Sequence, residues 1–148
     1  MIDTWKGTRE VRTVEEVLTS LRPRYLEGLR AVRFQNHLVK DPASGRAGVG
    51  GWRRGFGDIL LSRDSGWSWA AEDADGLIAA RWVLWHELGH HVYNRHMNAS
   101  GIQEWLEAQP EPVPPGSGRT EQFAEQFAYL MQEPSDTLLG RFFARFRP

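Results

Sequence analysis

The chain has 148 residues, enough for one domain with a single core, and its 41% hydrophobic and 25% charged residues are ordinary for a soluble globular protein. A net charge of −1 gives no basic surface for nucleic acid or a membrane, and the start of the chain lacks the apolar stretch of a signal peptide. The absence of cysteine excludes disulfides and thiolate metal sites, so a transition metal would have to be held by His, Asp or Glu.

The N-terminal half of the sequence predicts one short helix followed by a small sheet. Residues 13–21 begin with a capping Thr13 and repeat apolar residues at helical spacing. Three short segments then alternate partly in polarity and are separated by turn-rich sequence, which predicts about three strands. These segments are residues 29–35, 47–53 and 57–63.

The C-terminal half predicts three helices. Residues 75–96 begin with an aspartate suited to capping and contain no proline, so they form the longest helix candidate. Residues 109–118 contain four prolines and two glycines and predict a loop, which is followed by helices over 119–132 and 135–147. We therefore expect one α+β domain over residues 1–148, with the sheet packed on the long helix.

The segment HELGH at residues 86–90 fits the pattern H-E-x-x-H. Residues four apart on an α-helix lie about 40° apart around the axis, so His86 and His90 can offer ring nitrogens to one Zn²⁺ ion. Glu87 lies about 100° further round than His86, where its carboxylate can act as a general base on a coordinated water. Gly89 costs the helix up to about 1 kcal/mol, which is tolerable if a neighbouring backbone must come close there. The alternative is an ordinary helix with surface histidines.

A catalytic zinc site needs a third protein ligand, and His96 is one candidate. It lies six residues after His90, as in sites of the pattern HExxHxxGxxH. In an unbroken helix, however, it projects about 120° away from His90. The chain would have to leave the helix near Tyr93, where the positive φ supplied by glycine in such sites is costly.

The second candidate is Glu121, which lies on the helix predicted after the proline-rich loop. Glu121 and Glu125 are four residues apart and share a face, beside Ala124 and Ala128. The small alanines allow this helix to approach the histidine helix closely. One carboxylate can then bind the metal while the other accepts a hydrogen bond from a ligand histidine. We favour Glu121 over His96 as the third ligand.

The motifs HELGHH and GRTEQFAEQFAYLM together resemble the catalytic domain of anthrax lethal-factor-type metallopeptidases, and more loosely the short zincin domains of bacteria and their phages. That family pairs HExxH with a later helix of the form E-x-F-A-E-x-F. The resemblance covers residues 86–90 and 118–131 and implies a small zincin-like α+β domain of the gluzincin type. It further implies one Zn²⁺ per chain, held by His86, His90 and Glu121, with Glu87 as the base and Glu125 supporting a ligand.

The chain departs from the family pattern in two respects. The loop between the motifs is shorter, and the tyrosine thought to steady the oxyanion, seven positions before the zinc-binding glutamate, is replaced by Pro114. Tyr129 projects about 80° round from Glu121 and is our candidate for this role, with Arg119 and His91 as alternatives. Packing of Tyr129 in the core is the competing interpretation.

The sequence therefore predicts a zinc-dependent endopeptidase that acts on a protein or peptide and not on nucleic acid or a membrane. Residues 47–53 are the candidate edge strand for pairing with an extended substrate, because their glycines allow a close approach. The alternative is a zincin-fold module that holds zinc for structure or interaction and has little peptidase activity. A third reading is a toxin component or phage protease that needs a partner. We expect a soluble protein, cytoplasmic unless other machinery delivers it; neither substrate nor oligomeric state follows from the sequence.

Overall fold

The computed structural model describes residues 2–3, 8–35, 39–40, 47–48, 50–53, 55, 57–62, 67–68, 78–116 and 118–148. These residues form an α+β fold in which short strands precede most of the helices. The described helices are α1 (Thr8–Thr19), α2 (Ala80–His96), α3 (Ala99–Glu107), α4 (Gly118–Gln132) and α5 (Leu138–Ala144), with a 3₁₀ turn at Pro23–Leu26. The described strands are β1 (Ile2–Asp3), β2 (Ala31–Gln35), β3 (Val39–Lys40), β4 (Ala47–Gly48), β5 (Gly50–Arg53), β6 (Asp58–Ser62), β7 (Trp67–Ser68) and β8 (Ile78–Ala79).

The main sheet contains four of the described strands in the order β1-β2-β6-β5. β2 runs parallel to β1 and β6, whereas β5 is antiparallel to β6 and lies at the edge of this sheet. Val32 pairs with Ile59, which pairs in turn with Trp52, so apolar side chains line up across three strands. α2 packs against β5 and β6. The predicted strands 29–35 and 57–63 are therefore confirmed as β2 and β6, whereas the predicted strand 47–53 contains β4, which pairs with β3 in a separate sheet, and β5, which belongs to the main sheet.

The core continues from the sheet through α2 into a cluster of aromatic side chains between α4 and α5. Phe123, Phe127, Phe143 and Phe146 are fully buried; Phe123 and Phe127 are stacked, and the other ring contacts among the four are edge-on or tilted. Trp105 of α3 is also buried and packs against Phe123 at 5.5 Å between ring centroids. This cluster holds α4 in place behind the face that carries Glu121. None of the described helices is long and apolar enough to cross a membrane.

Two helix starts differ from the prediction. α1 begins at Thr8, so Thr13 lies inside the helix, where it is buried and does not cap. α2 begins at Ala80, because Ile78 and Ala79 are held in strand β8 by pairing with β7. The predicted cap Asp75 lies outside the described residues. Both helices are therefore present as the periodicity predicted, but their first residues differ from the predicted ones.

Two C-terminal helices also differ from the prediction. α3 was not predicted, although Asn98 caps it by accepting a hydrogen bond from the backbone N–H of Gly101 at 2.8 Å. α5 is shorter than the predicted 135–147. It begins after Thr137, whose hydroxyl accepts a hydrogen bond from the Gly140 N–H at 3.0 Å.

Asp58 joins the strands of the main sheet through its buried carboxylate. Its Oδ2 accepts a hydrogen bond from Arg33 Nε at 3.1 Å, and its Oδ1 accepts one from Arg53 Nε at 2.7 Å. Burial alone would raise the pKa of Asp58, but the hydrogen bonds and charges of Arg53 and Arg33 outweigh it and lower the pKa. The ionised carboxylate is therefore the form that stabilises the fold.

We predict that Asp58→Asn lowers the free energy of unfolding by about 1–3 kcal/mol at neutral pH, the usual effect of losing hydrogen bonds to a charged group. Because the folded-state pKa is lowered, the wild type keeps this stabilisation above about pH 4 and loses it on further acidification. The difference between the two proteins, measured by urea unfolding, should thus shrink below that pH. Asp136→Asn is the control, since Asp136 forms an exposed pair with Arg141. A pH-independent difference would contradict this account.

Candidate metal centre

His86 and His90 of α2 meet Glu121 of α4 in one cluster of potential metal ligands. One ligand atom from each residue lies within 4.8 Å of the others. His86 Nε2 is 2.9 Å from Glu121 Oε1, and His90 Nε2 is 3.1 Å from Glu121 Oε2. Tetrahedral Zn²⁺ with bonds of about 2.0–2.1 Å separates its ligand atoms by about 3.3–3.4 Å. The three side chains could therefore hold one metal ion after only small movements.

The cluster is polar, partly buried and open on the side of Glu121. The side chain of His86 is 11% exposed, whereas that of Glu121 is 56% exposed. Hydrogen bonds from His86 and His90 hold the pKa of Glu121 well below its usual range. Burial alone would lower the pKa of His86, but its hydrogen bond to Glu121 and the nearby carboxylates raise it. A metal would have to displace these imidazole protons, so its affinity should fall on acidification.

The close packing of α2 on α4 brings the cluster together. A Cβ added at Gly89 would lie 2.7 Å from Ala124 Cα and 3.2 Å from Ala124 O. The close backbone approach expected from Gly89 is thereby confirmed. Further along, Trp85 packs on Phe127 at 5.8 Å between centroids, while His90 lies against Thr120. Residues late in α2 thus meet residues early in α4, and the helices run antiparallel.

Glu87 lies beside the cluster, between α2 and the edge strand β5. It is 7% exposed, and a Cβ added at Gly50 would lie 3.4 Å from Glu87 Oε1. Burial raises the pKa of Glu87, and the charge of Glu121 acts in the same direction, while His90 and His86 oppose it. The base predicted from the motif is therefore placed next to the candidate ligands and is shielded from bulk water.

Glu125 does not form the hydrogen bond to a ligand histidine that the sequence predicted. It is exposed, although it lies near enough to His86 for its charge to raise the pKa of that imidazole. His90 Nδ1 is hydrogen-bonded to Thr120 Oγ1 at 3.1 Å, and the buried His86 Nδ1 has no hydrogen-bond partner among the described residues. Among the described residues, Thr120 and not Glu125 therefore contacts the second nitrogen of a candidate ligand ring.

His96, the alternative ligand, lies away from the cluster because α2 continues unbroken to this residue. Its Nε2 donates a hydrogen bond to the Glu27 carbonyl at 2.9 Å, and its ring packs edge-on against Tyr25. His91 is also directed elsewhere. It is 1% exposed and packs between His96 and Trp52, and burial lowers its pKa to about 4. Neither histidine faces the candidate metal position.

Tyr129 and Arg119 are likewise placed outside the cluster. Tyr129 is 58% exposed, so it is not a core residue, and its hydrogen bond to the Glu133 carboxylate raises its pKa. Arg119 donates hydrogen bonds to the carbonyls of Pro114 at 3.2 Å and Val113 at 3.3 Å, which ties it to the proline-rich loop. In this conformation neither side chain is directed at the ligands.

Two contacts of the ligand rings were missed by the sequence analysis. Thr120 is hydrogen-bonded to His90, and the ring of Trp82 stacks on His86 at 5.1 Å with an interplanar angle of 27°. Both have a signal in the sequence. Trp82 precedes His86 by one helical turn, and Thr120 directly precedes Glu121.

Comparison of the chain with family models, with curated protein sequences and with solved structures finds no match. The resemblance to lethal-factor-type metallopeptidases therefore depends on the motifs at residues 86–90 and 118–131 alone.

We predict that Gly89→Ala weakens both the fold and metal binding. The added methyl group would meet the backbone of α4, and overpacking of this kind costs about 1–3 kcal/mol of stability. The higher helix propensity of alanine offsets at most about 1 kcal/mol of that loss. Thermal unfolding and zinc titration would measure both effects.

The matched control for Gly89→Ala is Gly118→Ala at the start of α4, where an added Cβ meets no atom within 4 Å. It should leave stability and zinc affinity close to those of the wild type. If Gly89→Ala were as stable as this control and bound zinc equally well, the close contact between α2 and α4 would not be needed for the site.

Proposed function

We propose that the chain is a zinc-dependent endopeptidase of the HExxH…E type with a zincin-like fold. The observation that carries this proposal is the convergence of His86, His90 and Glu121 beside the buried carboxylate of Glu87. Two imidazoles and one carboxylate form a ligand set used by catalytic zinc, and the distances between their atoms suit that ion. When bound, Zn²⁺ lowers the pKa of a coordinated water to about 7 and polarises a carbonyl group.

Glu87 is the proposed general base. Its carboxylate takes a proton from the attacking water and returns it to the leaving amine of the cleaved peptide bond. Its carboxylate is buried beside the candidate ligands, and burial raises its pKa. His86 and His90 serve as neutral ligands, and Glu121 contributes the negative charge of the ligand set.

The openness of the cluster supports a catalytic site over a structural one. Structural zinc is usually surrounded by four protein ligands, whereas catalytic zinc keeps one position for water or substrate. Among the residues that the structure describes, no fourth His, Asp or Glu joins the group of three. The exposed side of Glu121 leaves a path for solvent and substrate.

The edge strand β5 is the proposed substrate-pairing element. β5 is paired with β6 on one side, and Gly50 brings its backbone against Glu87. An extended peptide that added to β5 would therefore pass close to the proposed base. Main-chain pairing of this kind fits a protein or peptide substrate whose segment is unfolded at the cleavage site.

The test is to compare the zinc-loaded wild type with Glu87→Gln on a pooled peptide library, with cleavage products read by mass spectrometry. We expect loss of about two to four orders of magnitude in turnover, because the proton acceptor is lost while the shape of the side chain is kept. Zinc content should be unchanged. Glu107→Gln, at an exposed position on α3, is the matched control and should retain activity.

Two outcomes would reject the endopeptidase assignment. Full activity in Glu87→Gln would remove Glu87 from the mechanism. A wild type that holds one zinc and cleaves no peptide in the library would favour the alternative, a zinc-binding structural or interaction module.

A further inference from the structure

Both ring nitrogens of His90 contact side chains of α4, and these side chains belong to two consecutive residues. Nε2 lies 3.1 Å from Glu121 Oε2, and Nδ1 lies 3.1 Å from Thr120 Oγ1. Asn94, one turn after His90 on α2, donates a hydrogen bond to the His90 carbonyl at 2.8 Å and a longer one to Thr120 Oγ1 at 3.4 Å. The Thr120 hydroxyl thus joins the two helices at the point where the third ligand enters the cluster.

His86 is held in a different way. Its Nε2 also lies against Glu121, at 2.9 Å from Oε1, but its Nδ1 is buried without a hydrogen-bond partner among the described residues, and its ring stacks on Trp82. Stacking restrains the plane of a ring but does not select which nitrogen carries the proton. Of the two histidines in the cluster, His90 therefore has a hydrogen-bonding contact on the nitrogen that faces away from Glu121.

We propose that Thr120 is a positioning residue that orients His90 for metal binding through Nε2, an inference that rests on the proposed metal site. A histidine that binds a metal through Nε2 carries its proton on Nδ1, and that N–H needs an acceptor. The Thr120 oxygen has two lone pairs, one for His90 Nδ1–H and one for Asn94 Nδ2–H. The orientation of His90 is thereby tied to the helix that carries Glu121.

The sequence position of Thr120 strengthens this assignment. Thr120 and Glu121 are neighbours in the first turn of α4, so docking of this one turn supplies both the third ligand and the acceptor for the second. A displacement of α4 would disturb both contacts together. One turn of α4 therefore positions both the third candidate ligand and the hydrogen-bond acceptor for His90.

The experiment measures zinc affinity by competition with a chromophoric chelator in the wild type, Thr120→Val and Thr120→Ser. Valine keeps the branched shape and removes the hydroxyl, and loss of such a supporting hydrogen bond typically weakens metal binding about 10–100-fold. Serine restores the hydroxyl and should bind zinc nearly as tightly as the wild type. Thr137→Val is the matched control: it removes the cap of α5, lowering stability away from the site, and should not change zinc affinity.

The zinc affinities of these variants test the positioning role of Thr120 separately from general stability and from the metal site itself. Equal affinity in Thr120→Val and the wild type would overturn the positioning role, and so would a Thr120→Ser variant as weak as Thr120→Val. If Thr137→Val lost as much zinc affinity as Thr120→Val, lower stability alone would explain the loss, and the positioning role would be overturned. A wild type that binds no zinc would reject the proposed metal site itself, and because no step of the assay requires peptide cleavage, that failure is separate from loss of peptidase activity.

A second measurement on the wild type keeps the proposal testable if Thr120→Val does not fold. Nitrogen-15 correlation spectra of the zinc-loaded protein report which imidazole nitrogen of each histidine carries the proton. We expect His90 to be protonated at Nδ1, with this proton protected from exchange by Thr120. Coordination of His90 through Nδ1, or a rapidly exchanging Nδ1 proton, would overturn the proposal.

Discussion

The candidate site depends on how closely α2 and α4 pack. At Gly89 the backbone of α4 is so near that an added Cβ would lie 2.7 Å from Ala124 Cα. This contact brings the first turn of α4 to the face of α2 that carries both histidines, so Glu121 reaches the two rings. Behind α4, fully buried Phe123 and Phe127 fix the helix against the core. The site is therefore a consequence of helix packing between distant parts of the sequence.

The same packing brings the candidate ligand atoms within hydrogen-bond distance of one another. The carboxylate of Glu121 already bridges the two imidazoles, and the hydrogen bonds it accepts lower its pKa. Metal binding would exchange these hydrogen bonds for coordination bonds and release imidazole protons. On the other side of α2, Gly50 of the edge strand allows Glu87 to lie between helix and sheet. The candidate ligands, the proposed base and the strand edge therefore all lie against α2, which packs on α4 and on the sheet.

The sequence predicted most of what depends on spacing along one helix and less of what depends on packing between elements. The shared face of His86 and His90, the three strands and the close approach at Gly89 follow from periodicity and side-chain size. Helix boundaries were missed where capping at Thr137 or strand pairing before α2 decided them. The angular position of Tyr129 on α4 did not show that its side chain is exposed, because exposure depends on which other elements pack against that face of the helix.

The most direct test of the central claim, that Glu121 from α4 completes the metal site of α2, is the zinc content per chain. Elemental mass spectrometry after extensive dialysis would compare the wild type with Glu121→Ala and with Glu125→Ala, an exposed acid one turn further along the same helix. We predict one zinc in the wild type, retention in Glu125→Ala and clear loss in Glu121→Ala. Full retention of zinc in Glu121→Ala would place the third ligand elsewhere and contradict this account.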